Sequence, residues 1–407
     1  MSAHSTTDTD RSRRIAVVTS TRADWGLLHG VVRELQAMEG VTPLVVATNM
    51  HLNPDFGMTV NEIEADGIPV AARVPMHVAD TSPQATAAST AQCLEGMAEA
   101  FARLQPDMVL ILGDRYEMLA VATAATVMRI PLAHIAGGEV SEGAFDDNIR
   151  HALTKLSSLH FTATDDYRRR VIQMGEHPSH VIYAGALGVE NLMDLPDEVP
   201  LDELEAFTGV PLTKDTLLVT YHPATLDTAE TPANRCRALL DALDRFPQSP
   251  VLITYPNNDP GGAEIIALID EYAKAHPGRC SVVPSLGRRR YLSALKHIGA
   301  VVGNSSSGIV EVPSAGIPTV DIGIRQRGRT ASDSVIHCGD SADEIAVAIA
   351  LALSPQGRER AEKAKNPYCK PGTAALIART LVETPLTSLA PKRFYDIPVN
   401  PDSQSAL

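Results

Sequence analysis

At 407 residues the chain is too long for one ordinary core and fits two or three domains. Lys plus Arg number 35 and Asp plus Glu 49, a net charge of −14, which argues against nucleic-acid or membrane-surface partners that need basic stripes. Apolar residues at 44% and charged residues at 21% are the balance of a soluble globular chain. Cys93, Cys236, Cys280, Cys338 and Cys369 form no CxxC pair, which argues against a disulfide framework or a zinc site. Residues 1–13 contain no apolar run, so they read as a tail rather than a signal peptide, and a cytoplasmic location is expected.

Short β-branched runs then alternate with helical patterns, the mark of parallel α/β architecture. Ile15 to Thr19 reads as a buried strand, followed by a helix from about Asp24 to Met38. Strand patterns recur at Leu44 to Thr48, Val109 to Gly113, Leu132 to Gly137, around His160, and at Val181 to Gly185. Their near-continuous apolar character implies a sheet covered on both faces. Between Ala186 and Thr216 the rhythm breaks in a stretch rich in Pro, Asp and Glu, where a domain boundary is expected. It restarts with strands opening at Leu217, Val251, Ser281, Ala300 and Pro318, and a last helix pattern covers Thr373 to Glu383. The expected fold is α/β, with two Rossmann-like doubly wound domains, 14–195 and 196–372, facing a cleft at their carboxyl edges. Residues 373–395 form a terminal helix that fits either domain, packing back on the first being one of the two placements, and 396–407 form a tail.

The polar residues gather at strand ends. Arg22 follows the first strand, and reads either as a solvated surface residue or as an anion contact beside a helix start. Asp114 directly follows a buried strand, with Arg115 and Glu117 behind it, and alone would serve equally as a helix cap. The next strand carries His134, turns through Gly137 and Gly138, and presents Glu139 and Glu142. Asp146, Asp147, Arg150 and His151 follow at a helix start, giving two i, i+4 pairs. Capping and surface pairing would explain each one singly. Carboxylates, a His and an Arg from neighbouring strand ends together point to acid–base chemistry.

In the second half a strand ends at His222, and the next ends at Asn257, Asn258 and Asp259. GNSSSGIVE runs from a strand through Ser305, Ser306, Ser307 and Gly308 into a helix carrying Glu311, a turn whose backbone N–H groups suit a pyrophosphate. Glu311, one turn in, suits ribose hydroxyls. Arg325, Arg327 and Arg329 make a local basic cluster for a phosphate. No P-loop, GxGxxG after the first strand, HExxH, Cys/His ligand spacing or GxSxG is present, so no metal and no cofactor is expected.

TSTRADWGLL, LGDRYEMLAVATAA, HIAGGEVSEGAFDDNIRHALTKLSSLHF, YHPATLD and GNSSSGIVEVPSAGIPTVDIGIRQRGR occur in the order seen in the hydrolysing UDP-N-acetylglucosamine 2-epimerases. The chain resembles that family from about Arg14 to Thr380. The resemblance implies a GT-B fold and a reaction in which UDP is eliminated to a 2-acetamidoglucal that is then hydrated. It also implies a place in sialic or legionaminic acid synthesis. By resemblance Asp114 and Asp146 are catalytic carboxylates, while Arg22, Arg150 and His222 contact diphosphate or sugar. Ser306, with Ser307 beside it, holds phosphate and Glu311 the ribose. Many members carry Glu two residues after the His, where this chain has Ala136, so Glu139 is expected to replace it. That departure also fits a 2,4-diacetamido-6-deoxy sugar on UDP or GDP. A GT-B glycosyltransferase and a nucleotide-sugar sensor are the competing classes, and a homo-oligomer, dimer or tetramer, is expected.

Overall fold

Aliphatic and β-branched runs closed by short polar turns become the strands of two parallel sheets. The computed structural model describes residues 12–54, 57–77, 82–142, 145–195, 198–224, 230–256 and 261–397. The first sheet contains β1 (Arg13–Thr19), β2 (Val41–Thr48), β3 (Val70–Val74), β4 (Met108–Leu112), β5 (Leu132–Ile135), β6 (Leu159–Thr162) and β7 (Val181–Tyr183). Its helices are α1 (Arg22–Gln36), α2 (Val60–Ala65), α3 (Pro83–Leu104), α4 (Tyr116–Val127), α5 (Asp146–Leu156) and α6 (Asp165–Gln173). Strand order is β3-β2-β1-β4-β5-β6-β7, all parallel, so the order reverses between β1 and β4. Ligands of such sheets bind outside the carboxyl ends near that reversal. Thr21 and Asp24 form a capping box that fixes the start of α1 at this edge.

The chain continues through α7 (Leu187–Met193), α8 (Leu201–Thr208), β8 (Leu217–Thr220), α9 (Pro232–Leu243), β9 (Val251–Thr254), α10 (Gly262–Ala275), β10 (Cys280–Val283) and α11 (Gly287–Ala294). Then follow β11 (Ala300–Gly303), α12 (Ser307–Val310), β12 (Thr319–Ile322), β13 (Val335–Cys338), α13 (Ala342–Leu353) and α14 (Pro355–Lys363), and finally α15 (Thr373–Glu383) and α16 (Leu386–Leu389). The second sheet runs β10-β9-β8-β11-β12-β13, again parallel. Alternation along β8 shows why its strands are apolar throughout: Leu217 and Val219 join one buried cluster and Leu218 the cluster on the opposite face.

Two compact units result. One comprises the chain up to Gly138, Ile149–Ala184 and the chain from Gly372; the other comprises Glu139–Asn148 and Gly185–Pro371. The sequence reading put one cut near 196 and kept 139–148 with the first half. The stretch around the expected boundary belongs to the second unit's core: Leu192, before the expected cut, is buried there with Val199, Leu204, Val210 and Leu212 after it, which brings α7 into that unit along with α8. Strands β3 and β13 had no sequence signal strong enough to name, because both are edges with half-exposed residues. Within the first unit, α15 closes on α1, where a methyl at Gly30 would lie 3.5 Å from Ala374. Arg13 donates to the carbonyls of Leu381 and Thr384 at 2.8 Å each, and Thr373 Oγ1 donates to Ala184 O at 2.9 Å. Lys392 donates to the Lys155 carbonyl at 2.7 Å and pairs with buried Glu176 at 2.8 Å. Among the described residues no helix is long and apolar enough to cross a membrane.

Candidate functional site

In the first unit, chemistry-bearing side chains cluster at the carboxyl edge around β4 and β5. All five residues of β4 are buried, and Gly113 turns the chain with φ +78°, so Asp114 emerges at the edge. Its carboxylate accepts from Arg150 of α5, whose side chain is 2% exposed against 25% for Asp114. A buried guanidinium thus holds a carboxylate that still reaches solvent. Arg22 stands exposed at the first position of α1.

His134, expected as a substrate contact, is fully buried. Its Nε2 donates to Gly113 O at 2.7 Å, so it braces the turn that presents Asp114. Burial pushes its pKa down to about 4, so the ring is neutral and Nδ1 is a lone-pair acceptor.

The Gly137–Gly138 turn is closely packed. A methyl on Gly138 would lie 2.6 Å from Tyr167 O, and one on Gly137 would lie 3.1 Å from both His134 Nδ1 and Thr154 Oγ1. Both glycines are there because the backbone is packed too closely for a side chain. Ala136, where an acid is common in the resembling family, adopts φ +69° and donates its N–H to Phe161 O at 2.9 Å.

Arg115 was passed over in the sequence, yet its surroundings mark it. Its Nε donates to Glu117 Oε1 at 2.6 Å, its face lies 5.7 Å from the Tyr116 ring centroid, and its side chain is 36% exposed. Its two terminal amino groups donate to no protein acceptor among the described residues.

The second unit carries the other set. His222 is fixed through its backbone, with Asn304 Oδ1 accepting from His222 N at 2.7 Å and Asn304 Nδ2 donating to His222 O at 2.8 Å. Asn304 is in turn held through its carbonyl by Gln326 Nε2 at 2.8 Å and Arg325 Nη1 at 3.1 Å. Arg325, expected on a phosphate, therefore also buttresses the turn.

The serine turn is built differently from the expected helix start. α12 spans four residues, Ser307–Val310, before Pro313 stops any regular continuation, so it supplies little macrodipole. Ser306 is exposed, Ser305 half-buried, and Ser307 Oγ lies 2.7 Å from the Tyr291 hydroxyl. Gly308 serves packing, since a methyl there would meet Thr319 Cγ2 at 2.7 Å.

Glu311 tucks its carboxyl over Gly188, at the start of α7. A methyl on Gly188 would lie 2.1 Å from Glu311 Oε1, and Oε2 is buried without a hydrogen-bond partner in the described residues. Burial raises its pKa to about 7, against the opposing hydrogen bond from Ser307.

Glu139 belongs to this unit and is occupied: Arg329 Nη1 lies 2.5 Å from its Oε2, and Arg329 Nη2 donates to Ser141 Oγ at 3.2 Å. Asp147 Oδ1 accepts from Ser141 N at 2.8 Å, while Asp146 opens α5 half-exposed. Asn257 lies outside the described residues.

Two parallel doubly wound units place the chain in the GT-B-like α/β class. Residues 33–382 match the family model for UDP-N-acetylglucosamine 2-epimerase, and the chain belongs to that family. It is 36% identical over 327 residues to the GDP/UDP-N,N'-diacetylbacillosamine 2-epimerase (hydrolyzing) of Campylobacter jejuni, covering 80% of this chain and 84% of that one. It is 33% identical to polysialic acid biosynthesis protein P7 of Escherichia coli, over 95% of this chain and 98% of that one. Its fold is similar to the crystal structure of UDP-GlcNAc 2-epimerase from Neisseria meningitidis bound to UDP-GlcNAc. That similarity has a TM-score of 0.78 at 19% identity, over 91% of this chain and all of that one.

Proposed function

We propose that the chain hydrolyses a UDP-N-acetylhexosamine with inversion at C2, converting UDP-GlcNAc to ManNAc and UDP. The observation that carries this reading is Asp114, a solvent-reaching carboxylate held by buried Arg150 at the edge of the sheet. In the first step a carboxylate takes the C2 proton, the C2–H electrons form the C1=C2 bond, and the C1–O bond breaks to release UDP. Water oxygen then bonds to C1, and a proton reaches C2 from the other face. Asp114 and Asp146 carry the proton transfers in this scheme. Arg22 and Arg115 face the departing oxyanion with directed N–H donors. Ser305, Ser306 and His222 hold the diphosphate, and Glu311 accepts from the ribose hydroxyls. Glu139 anchors Arg329 rather than replacing the acid missing at Ala136.

A second substrate has support of its own. The Campylobacter jejuni relative and one from Legionella pneumophila, 35% identical over 84% of this chain, are both named as hydrolysing N,N'-diacetylbacillosamine 2-epimerases. The test is incubation with UDP-GlcNAc and, separately, with UDP-N,N'-diacetylbacillosamine in D₂O, followed by proton NMR. Free 2-epimer, free UDP and deuterium at C2 are expected with one of the two. Release of UDP without C2 exchange, or no release from either, would overturn the reading.

A further inference from the structure

Glu117 is a buried acid that the scheme above does not use. It sits in the first turn of α4, where an acid ordinarily points to water and favours the helix end. Here its side chain is 0% exposed. Burial alone would raise its pKa, but the neighbouring Arg115 guanidinium overrides this and holds it below the usual carboxylate range, so it is ionised. Asp24 acts electrostatically on the same guanidinium and accepts from Ser20 Oγ at 2.6 Å. Burial shifts the Asp24 carboxyl the opposite way, upward, while Glu117 is the acid in direct contact, with its Oε1 2.6 Å from Arg115 Nε. Asn49 completes the enclosure from the end of β2. Its backbone has φ +49°, a conformation that Asn tolerates better than most residues, and its Nδ2 lies 3.4 Å from the Tyr116 hydroxyl.

A fully buried acid paired with a half-exposed guanidinium is seldom more stabilising than apolar residues of the same volume, so stability alone does not account for this one. What the pair does fix is direction. Among the described residues, Arg115 hydrogen-bonds through Nε to Glu117 and meets Tyr116 through its face, at the residue next to Asp114. A flexible side chain has been reduced to a fork whose outer donors are set in place before any ligand arrives.

We propose that Glu117 is a positioning residue: it aims the terminal amino groups of Arg115 at an oxyanion of the substrate beside Asp114. The proposal rests on the nucleotide-sugar reading above. Because Glu117 neutralises Arg115 locally, recognition there works by directed hydrogen bonds more than by net positive charge.

That distinction gives the test its sign. Glu117→Gln keeps the shape and removes one negative charge near an anionic ligand. Charge alone would then tighten UDP binding, whereas loss of aim weakens it. Calorimetric titration with UDP is expected to show about tenfold weaker binding for Glu117→Gln. In an Arg115→Ala background the same change is expected to cost less than about twofold, because the group through which Glu117 acts is gone. Glu117→Asp, which keeps the charge and draws it back by one methylene, should fall between wild type and Glu117→Gln. Thermal melts of each variant check that it is folded. Equal losses in both backgrounds, or tighter binding by Glu117→Gln, would overturn the proposal while an active wild type keeps the functional reading. A wild type that neither binds UDP nor releases it from either sugar would overturn both.

Discussion

Replacing Gly188 by Ala tests whether the seat of Glu311 matters to nucleotide recognition. The added methyl would lie 2.1 Å from Glu311 Oε1, 2.9 Å from Cδ and 3.0 Å from Cγ, all atoms of one side chain. To bring the closest contact out to 3.0 Å the carboxylate must retreat by about 0.9 Å, the difference 3.0 − 2.1. The three nearest atoms all belong to this one flexible side chain, so the strain should fall on Glu311 before α7 has to shift. Overpacking costs about 1–3 kcal/mol where nothing yields. A yielding side chain and the roughly 0.5–1 kcal/mol that Ala gains over Gly in a helix reduce the net effect on folding. Binding has no such offset. A misplaced carboxylate forfeits a charge-assisted hydrogen bond of about 1.5–3 kcal/mol, a loss of roughly tenfold to 150-fold. Titration with UDP and with 2′-deoxy-UDP at pH 8, with thermal melts alongside, measures both sides. The wild type should prefer UDP, and Gly188→Ala should lose that preference with little change in melting temperature. Unchanged UDP affinity with the preference intact would refute the assignment of Glu311 to the ribose.

Ser306 is exposed at the turn after β11, so Ser306→Phe should leave the fold intact and abolish UDP binding; retained affinity would remove the serine turn from the site. Buried His51 and His134 are both held near pKa 4 against an unfolded value of 6.5. The unfolded chain therefore takes up protons first on acidification, and these two groups contribute stability that is present above pH 6.5 and lost as pH falls towards 4. Melting temperatures measured from pH 7 to pH 4.5 should fall, and His134→Gln, which can still donate to Gly113 O, should flatten the slope. An identical slope in that variant would mean His134 does not titrate as its burial demands.

Most strands were legible because parallel strands buried on both faces leave continuous aliphatic runs, as at β1, β4, β8 and β11. Edge strands β3 and β13 carry Arg73 and His337 within them and left no such trace. The Pro- and acid-rich stretch after Ala186 looked like a domain boundary by composition. Its few apolar residues, Val199, Leu204 and Leu212 among them, are spaced to enter the second core, which composition does not weigh. At the candidate site, residue types at strand ends singled out Asp114, Arg150 and Glu311, and the structure puts Asp114 and Arg150 in direct contact. The sequence could not show that Glu139 is occupied by Arg329, a partner 190 residues away, or that two adjacent glycines signal close packing rather than freedom. Arg115 had a local signal after all: an arginine two residues before an acid that opens an apolar helix. Only the burial of that acid shows that the pair is aimed rather than solvated.

The closure of the first unit by residues from Gly372 onward has a consequence for synthesis. As the chain leaves the ribosome, β1 to β7 appear early, but the face of α1 that carries Gly30 lacks Ala374 until α15 arrives, and Arg13 finds no carbonyls before Leu381 and Thr384 are made. The unit that starts second can therefore finish first. A chain truncated before 372 leaves that face of α1 without its last partner, so it should recruit chaperones that the full chain does not.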